Sequence, residues 1–230
     1  MDGELHHARA FFGRRKGRRL RRRQAALFDT LLPRLALDLT HPAPVDLRTL
    51  FAVPVHEIQL EIGFGGGENM IAHAAAQPHT GFVGVEPYAN GMAKALSAID
   101  SGGLRNIRLH FDDAARLLAW LPGGSLTRID LIHPDPWPKR RHWKRRFIQD
   151  ATVAQFARIL RPGGDLRVVT DVADYAAWTL QHVMRAADFE WTARCADDWR
   201  KAWPDFRSTR YHAKAAHAQR PPCFLIFRRR

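Results

Sequence analysis

The stretch Leu60-Glu61-Ile62-Gly63-Phe64-Gly65-Gly66-Gly67 constrains this chain more than any other. An apolar run from Ile58 to Ile62 meets a glycine loop and then a segment of small residues, Asn69 to Ala76. Strand, tight glycine turn and helix is how an α/β sheet presents backbone amides to a nucleotide-like ligand. The spacing narrows the ligand. A dinucleotide fingerprint requires a third glycine three positions after Gly65, and that position is Glu68, so a nicotinamide enzyme is disfavoured. The pattern is instead Gly-x-Gly-x-Gly preceded by an acid, Glu61.

Enzymes that use S-adenosylmethionine place such a loop under the methionine end of the cofactor. On the loop alone, an ordinary glycine-rich turn is an equal alternative. The rest of the chain decides. Its 230 residues fit one domain with a sizeable core. No apolar run reaches the ~18–20 residues that span a membrane, and the basic N-terminus has no apolar stretch behind it. Cys195 and Cys223 form neither a disulfide framework nor a zinc pattern, so a reducing cytoplasm and no metal are expected.

Charge says more. Lys and Arg number 36 against 23 Asp and Glu, a formal +13, which favours a polyanionic partner. Eight cations fall in the ten positions from Arg14 to Arg23. Lys139, Arg140, Arg141, Lys144, Arg145 and Arg146 form a second cluster beside a Pro/Trp loop. Residues 1–23 read as a flexible basic arm, because like charges at that density repel in a packed element. Residues 24–230 read as the single domain.

Past a helix at 24–37 broken by Pro33 and a proline-bearing linker at 41–55, strand and helix alternate. Strands are expected at 57–62, 81–86, 106–111, 128–133 and 165–170, and helices at 67–76, 89–100, 113–120, 144–160 and 173–187. Such alternation means a parallel sheet with right-handed crossovers. The tail differs. Residues 189–196 and 223–228 read as an antiparallel strand pair joined by a long loop without a good helix. The expected fold is α/β, a Rossmann-like class I methyltransferase fold: a mostly parallel seven-stranded sheet, helices on both faces, and that antiparallel C-terminal pair.

In open α/β sheets ligands sit at the C-terminal strand ends. The second strand ends in Glu86, 23 residues after Gly63, near the spacing of a carboxylate that grips ribose hydroxyls. The third is followed by Asp112-Asp113-Ala114, where an acid can accept from an adenine amine or cap a helix. The fourth runs into His133-Pro134-Asp135-Pro136-Trp137-Pro138, a rigid loop with an acid at the mouth and an aromatic face for a base. The basic cluster follows at once, so phosphates flanking a target base would be held beside the chemistry. The fifth ends in Asp171. Ser208-Thr209-Arg210-Tyr211-His212-Ala213-Lys214 suits RNA contact in a loop.

With these residues assembled, the chain resembles the tRNA (guanine-N7)-methyltransferase family over most of its length. The resemblance rests on Leu60 to Gly67, Gly84-Val85-Glu86, Asp113-Ala114, Pro134 to Lys139, Arg141-His142-Trp143-Lys144-Arg145-Arg146, Thr170-Asp171 and Thr209-Arg210-Tyr211, with Arg9 to Arg23 matching a basic arm. It implies S-adenosylmethionine as cofactor and tRNA as partner, with N7 of guanine 46 in the variable loop as acceptor. Glu61, Glu86, Asp113 and Asp135 would contact the cofactor, with Ala114 and the loop glycines Gly63, Gly65 and Gly67 beside them. Asp135 would also be the active-site residue. Lys139, Asp171 and Thr209 to His212 would contact substrate, and Arg141 to Arg146 RNA. Two positions depart from the family. His212 stands where glutamate is usual, and His133 where an apolar residue is usual. The rival readings are an amino methyltransferase acting on adenine or cytosine and a non-catalytic RNA-binding protein on the same fold.

Overall fold

The structure, a computed structural model, describes residues 12–230, and of these all side chains except Tyr211, Ala213, Lys214 and Ala216. Residues 1–11 of the expected arm, Arg9 included, lie outside the described residues.

Six strands were expected where glycine and proline punctuate apolar runs, or at the tail, and a seventh at the C-terminus; all are present. They are β1 Glu57–Ile62, β2 Thr80–Val85, β3 Ile107–His110, β4 Leu126–Ile132, β5 Leu160–Thr170, β6 Phe189–Trp191 and β7 Cys223–Arg229. The order is β3-β2-β1-β4-β5-β7-β6, with β1 to β5 parallel and β7 antiparallel to both β5 and β6. β2 is buried at every position, as a central strand covered on both faces must be. The chain reverses direction across the sheet between β1 and β4, which makes that junction the switch point.

Nine helices accompany the sheet among the described residues: α1 Arg22–Thr30, α2 Leu32–Leu35, α3 Glu68–Ala76, α4 Ala89–Gly102, α5 Ala114–Trp120, α6 Asp150–Ile159, α7 Ala173–Arg185, α8 Asp197–Arg200 and α9 Arg210–His217. One apolar cluster packs Leu27, Leu35, Met70, Met92 and Leu96 of α1 to α4 against Phe82, Ile107 and Leu109 of β2 and β3. Another packs Leu117, Phe156 and Val183 of α5 to α7 against Leu60, Ile129, Leu166 and Phe227. Pro33 falls in the first turn of α2, where its missing N–H costs no helical bond.

Three expectations are corrected. The helix at 144–160 begins only at Asp150, where Gln149 and Thr152 form a capping box; before it, Arg140–Arg145 make a 3₁₀ turn. The long C-terminal connection holds α8 and α9, and β6 stops at Trp191. Within the arm, residues 12–21 are extended along the domain and α1 already begins at Arg22. There the Arg15 carbonyl accepts from Ala89 N (2.9 Å), Arg18 O accepts from Asn90 Nδ2 (2.7 Å), and Arg15 pairs with Asp112 (2.8 Å).

One sheet face carries charge where the other is apolar. Glu61 of β1 is level with Asp130 of β4, which is level with Arg167 of β5. Arg128 reaches Asp130 (3.0 Å) and Asp205 (3.2 Å), Arg167 also reaches Asp205 (3.1 Å), and Asn69 of α3 donates to Glu61 (2.8 Å). Burial, and next the facing Asp130, push the Glu61 carboxyl up to about 8. The unfolded carboxyl ionises near 4.5, so the proton held by the folded form contributes stability that is complete below 4.5 and lost as pH rises towards 8. Glu61→Gln removes that titration. Urea unfolding between about pH 5 and pH 8 should therefore show a smaller loss of stability in the variant than in wild type. Parallel pH profiles would contradict the assignment.

Candidate active site

The glycine loop closes β1 onto β2. Gly63, Gly65 and Gly67 have φ of 68°, 58° and 83°, a region that a side chain strongly disfavours. Glu86, at the end of β2, accepts from Gly65 N (2.7 Å) with one carboxylate oxygen and from Tyr88 N (2.8 Å) with the other. The first turn of α4 rests on the same loop: a Cβ on Gly91 would lie 2.4 Å from the Gly65 carbonyl oxygen. Glu61 lies two residues before the loop, buried at 4% exposure. Asp113 caps α5, accepting from Ala115 N (2.9 Å), with Ala114 buried behind it. That is the helix-capping alternative in the sequence reading, and it leaves the second carboxylate oxygen for a ligand.

Asp135 stands on the loop after β4. The residue is exposed, yet protein crowding its carboxyl raises its pKa. Burial also raises Glu86, and the Asp135 charge adds to that rise. The loop is strained at both ends, with His133 at φ 49° and Trp137 at φ 39°. Arg145 lies over the Trp137 ring (5.0 Å) and over Phe12 of the arm (5.1 Å), and His142 meets Trp137 edge-on (5.7 Å). Lys139, Arg141 and Lys144 are exposed around this turn. Arg146 is not with them. It is 1% exposed and points inward, so it does not reach RNA as the sequence pattern implied.

Asp171, at the end of β5, receives His133 Nδ1 (3.2 Å) and Arg220 Nε (2.8 Å). His133 lies beside His212 (ring centroids 5.8 Å), which packs on Phe206 (5.0 Å) and Phe224 (6.0 Å). Burial lowers the pKa of both histidines, keeping the rings neutral near pH 7. The two departures from the family pattern are thus neighbours in space. Thr209 is buried and its hydroxyl accepts from His212 N (3.2 Å), fixing the start of α9; Arg210 is exposed, and the Tyr211 side chain lies outside the described residues. Sequence reasoning missed Arg220, which carries no local signal, and the inward turn of Arg146.

Glu61 in β1, Glu86 after β2 and Asp135 after β4 are carboxyls at the C-terminal ends of the strands around the switch point, and the surrounding protein raises the pKa of each. Carboxyls so placed suit a cationic ligand rich in donors. Among the described residues, no group of three or more His, Cys, Asp or Glu is arranged to hold a metal, and no helix is long and apolar enough to cross a membrane.

Solved structures similar to this one include a 16S rRNA methyltransferase, KamB (TM-score 0.55, 15% identity, covering 76% of this chain and 89% of that one). They also include a precorrin-6y C5,15-methyltransferase from Geobacter metallireducens GS-15 (TM-score 0.52, 12% identity, covering 80% and 88%). At that identity they establish the fold. A family model described as "Putative methyltransferase" matches residues 56–225. A tRNA (guanine-N(7)-)-methyltransferase of Rhodopseudomonas palustris (strain HaA2) is 59% identical over 230 residues, covering 100% of this chain and 90% of the relative. One of Nitrobacter hamburgensis is 60% identical over 220 residues, covering 96% and 86%. With identity at this level along its whole length, the chain belongs to the tRNA (guanine-N7)-methyltransferase family.

Proposed function

We propose that this protein moves the methyl group of S-adenosylmethionine to N7 of a guanine in the variable loop of tRNA, guanine 46. The observation that carries the reading is geometric: Glu86 at the end of β2 holds the Gly65 N–H of the glycine loop, and the loop after β4 carries Asp135 next to the Trp137–Arg145 stack. The residues fit the cofactor. Glu61, Glu86 and Asp135 are carboxyls whose burial is relieved by a cation or by hydroxyl and amine donors, and S-adenosylmethionine offers all of these. When bound it supplies an activated methyl group on a sulfonium.

Guanine N7 carries a lone pair and no proton, so it forms the new N–C bond without a general base. The chain's work is then alignment and charge. Asp135 accepts from guanine N–H groups and turns N7 inward, while Trp137 offers its face to the base. The methylated base is a cation, which the adjoining carboxylates stabilise as it forms. Lys139, Arg141, His142, Lys144 and Arg145 hold the flanking phosphates, with Asp171 and the Thr209–His212 segment completing the substrate side. Neutral His212 offers a ring nitrogen where the family's usual residue offers a carboxylate. It is therefore an acceptor of single bonds rather than a charged clamp.

A tRNA carrying 7-deazaguanine only at position 46 should accept no methyl from this enzyme; undiminished transfer would refute the assignment. Asp135→Asn keeps an acceptor and should retain more activity than Asp135→Ala. Equal and total loss in both, with cofactor binding intact, would refute a positioning role. Replacing Arg18, Arg19, Arg21 and Arg22 together by Gln should weaken tRNA binding. The slope of log K against log salt should fall by about one for each phosphate that is no longer neutralised. An unchanged slope would assign that segment to something other than RNA.

A further inference from the structure

Arg146 is 1% exposed, apart from the surface cations of its turn, and its guanidinium meets three rings, a carbonyl and a carboxylate. The guanidinium sits in a box of three rings, Trp143 (4.9 Å), Trp178 (4.9 Å) and Tyr175 (5.6 Å). Its Nε donates to the Pro136 carbonyl (2.9 Å), and its far edge pairs with Asp174 in the first turn of α7. Pro136 adjoins Asp135, and Asp174 lies three residues after Asp171. One planar cation therefore bolts the loop after β4 to the helix after β5.

Core packing alone does not explain it. Burying a cation is costly, and an apolar side chain among three aromatic rings would fill the space as well. What arginine adds is direction. The loop contains Pro134, Pro136 and Pro138, which have no N–H groups with which to anchor it, so it must be held through its carbonyls. The carbonyl that Arg146 takes belongs to the peptide leading into Trp137, the residue held at φ 39°. Such a backbone persists only where its surroundings over-determine it.

We propose that Arg146 is a positioning residue that fixes the separation of Asp135 and Asp171, and so the place of the guanine between them. This rests on the functional reading above. Lysine cannot replace the fork at a stacked, two-ended site. Full-length Arg146→Lys and Asp174→Asn should both fold, as counted by cofactor titration. In Arg146→Lys, kcat per cofactor-binding site should fall by about 10- to 100-fold, the scale of a small misplacement of reacting groups. KM for tRNA and its salt dependence should stay near wild type. Asp174→Asn should move kcat the same way by less, and it carries the test if Arg146→Lys does not fold. With 5-fluorotryptophan in the protein, the Trp137 fluorine resonance, assigned through Trp137→Phe, should shift in both variants without substrate. A wild-type kcat per site with an unmoved Trp137 resonance would overturn the proposal. So would a raised KM with a flattened salt slope, which would put Arg146 on a phosphate. If wild type methylates another atom, the functional reading fails with its guanine, and the Trp137 resonance still decides whether Arg146 sets the loop.

Discussion

The contact on which the site depends is the one between the Glu86 carboxylate and the Gly65 N–H. It ties the loop after β1 to the end of β2 at Gly65, the middle of that loop's three glycines with positive φ. A hydrogen bond to a charged group is worth about 1.5–3 kcal/mol, and Glu86 makes two. Each carboxylate oxygen keeps a lone pair free, so the group that shapes the loop can also take a ligand hydroxyl. Gly91 follows from the same contact, because α4 can begin beneath Glu86 only if no side chain meets the Gly65 carbonyl.

Around that contact charge is sorted by depth. The excess of 13 positive charges is concentrated in the segment before α1 and the turn after β4, at the surface. Glu61 and Glu86 lie inward, while Asp135 is exposed with protein crowding its carboxyl, and the pKa values of all three are raised. Carboxyls beneath a basic surface fit the proposed reaction between a cationic methyl donor and a polyanion. On the proposed reading, the surface would draw the polyanion in, and the carboxyls would receive the cationic donor and then the cationic product base.

Much of this was legible in the sequence because its signals are local. Alternating apolar runs and Gly/Pro punctuation placed β1 to β5, and the end of each strand named Glu86, Asp135 and Asp171. What was not legible depends on distant partners. Arg141 to Arg146 read as one charged face, but Arg146 turns inward because Trp143, Tyr175 and Trp178 enclose it and Pro136 needs a donor. The same turn explains why the helix expected from 144 begins at Asp150. Arg220 reaches Asp171 from beyond α9, with no spacing to announce it. α8 and α9 hid in a polar connection whose apolar residues, Trp203 and Phe206, pack on Phe224 rather than line a helix.

The most direct test is transfer of labelled methyl from S-adenosylmethionine to unmodified tRNA, followed by mapping of the labelled atom. The account predicts label on N7 of one variable-loop guanine. Label on an exocyclic amine would keep the fold and contradict the chemistry, and bound cofactor without any transfer to tRNA would contradict the substrate.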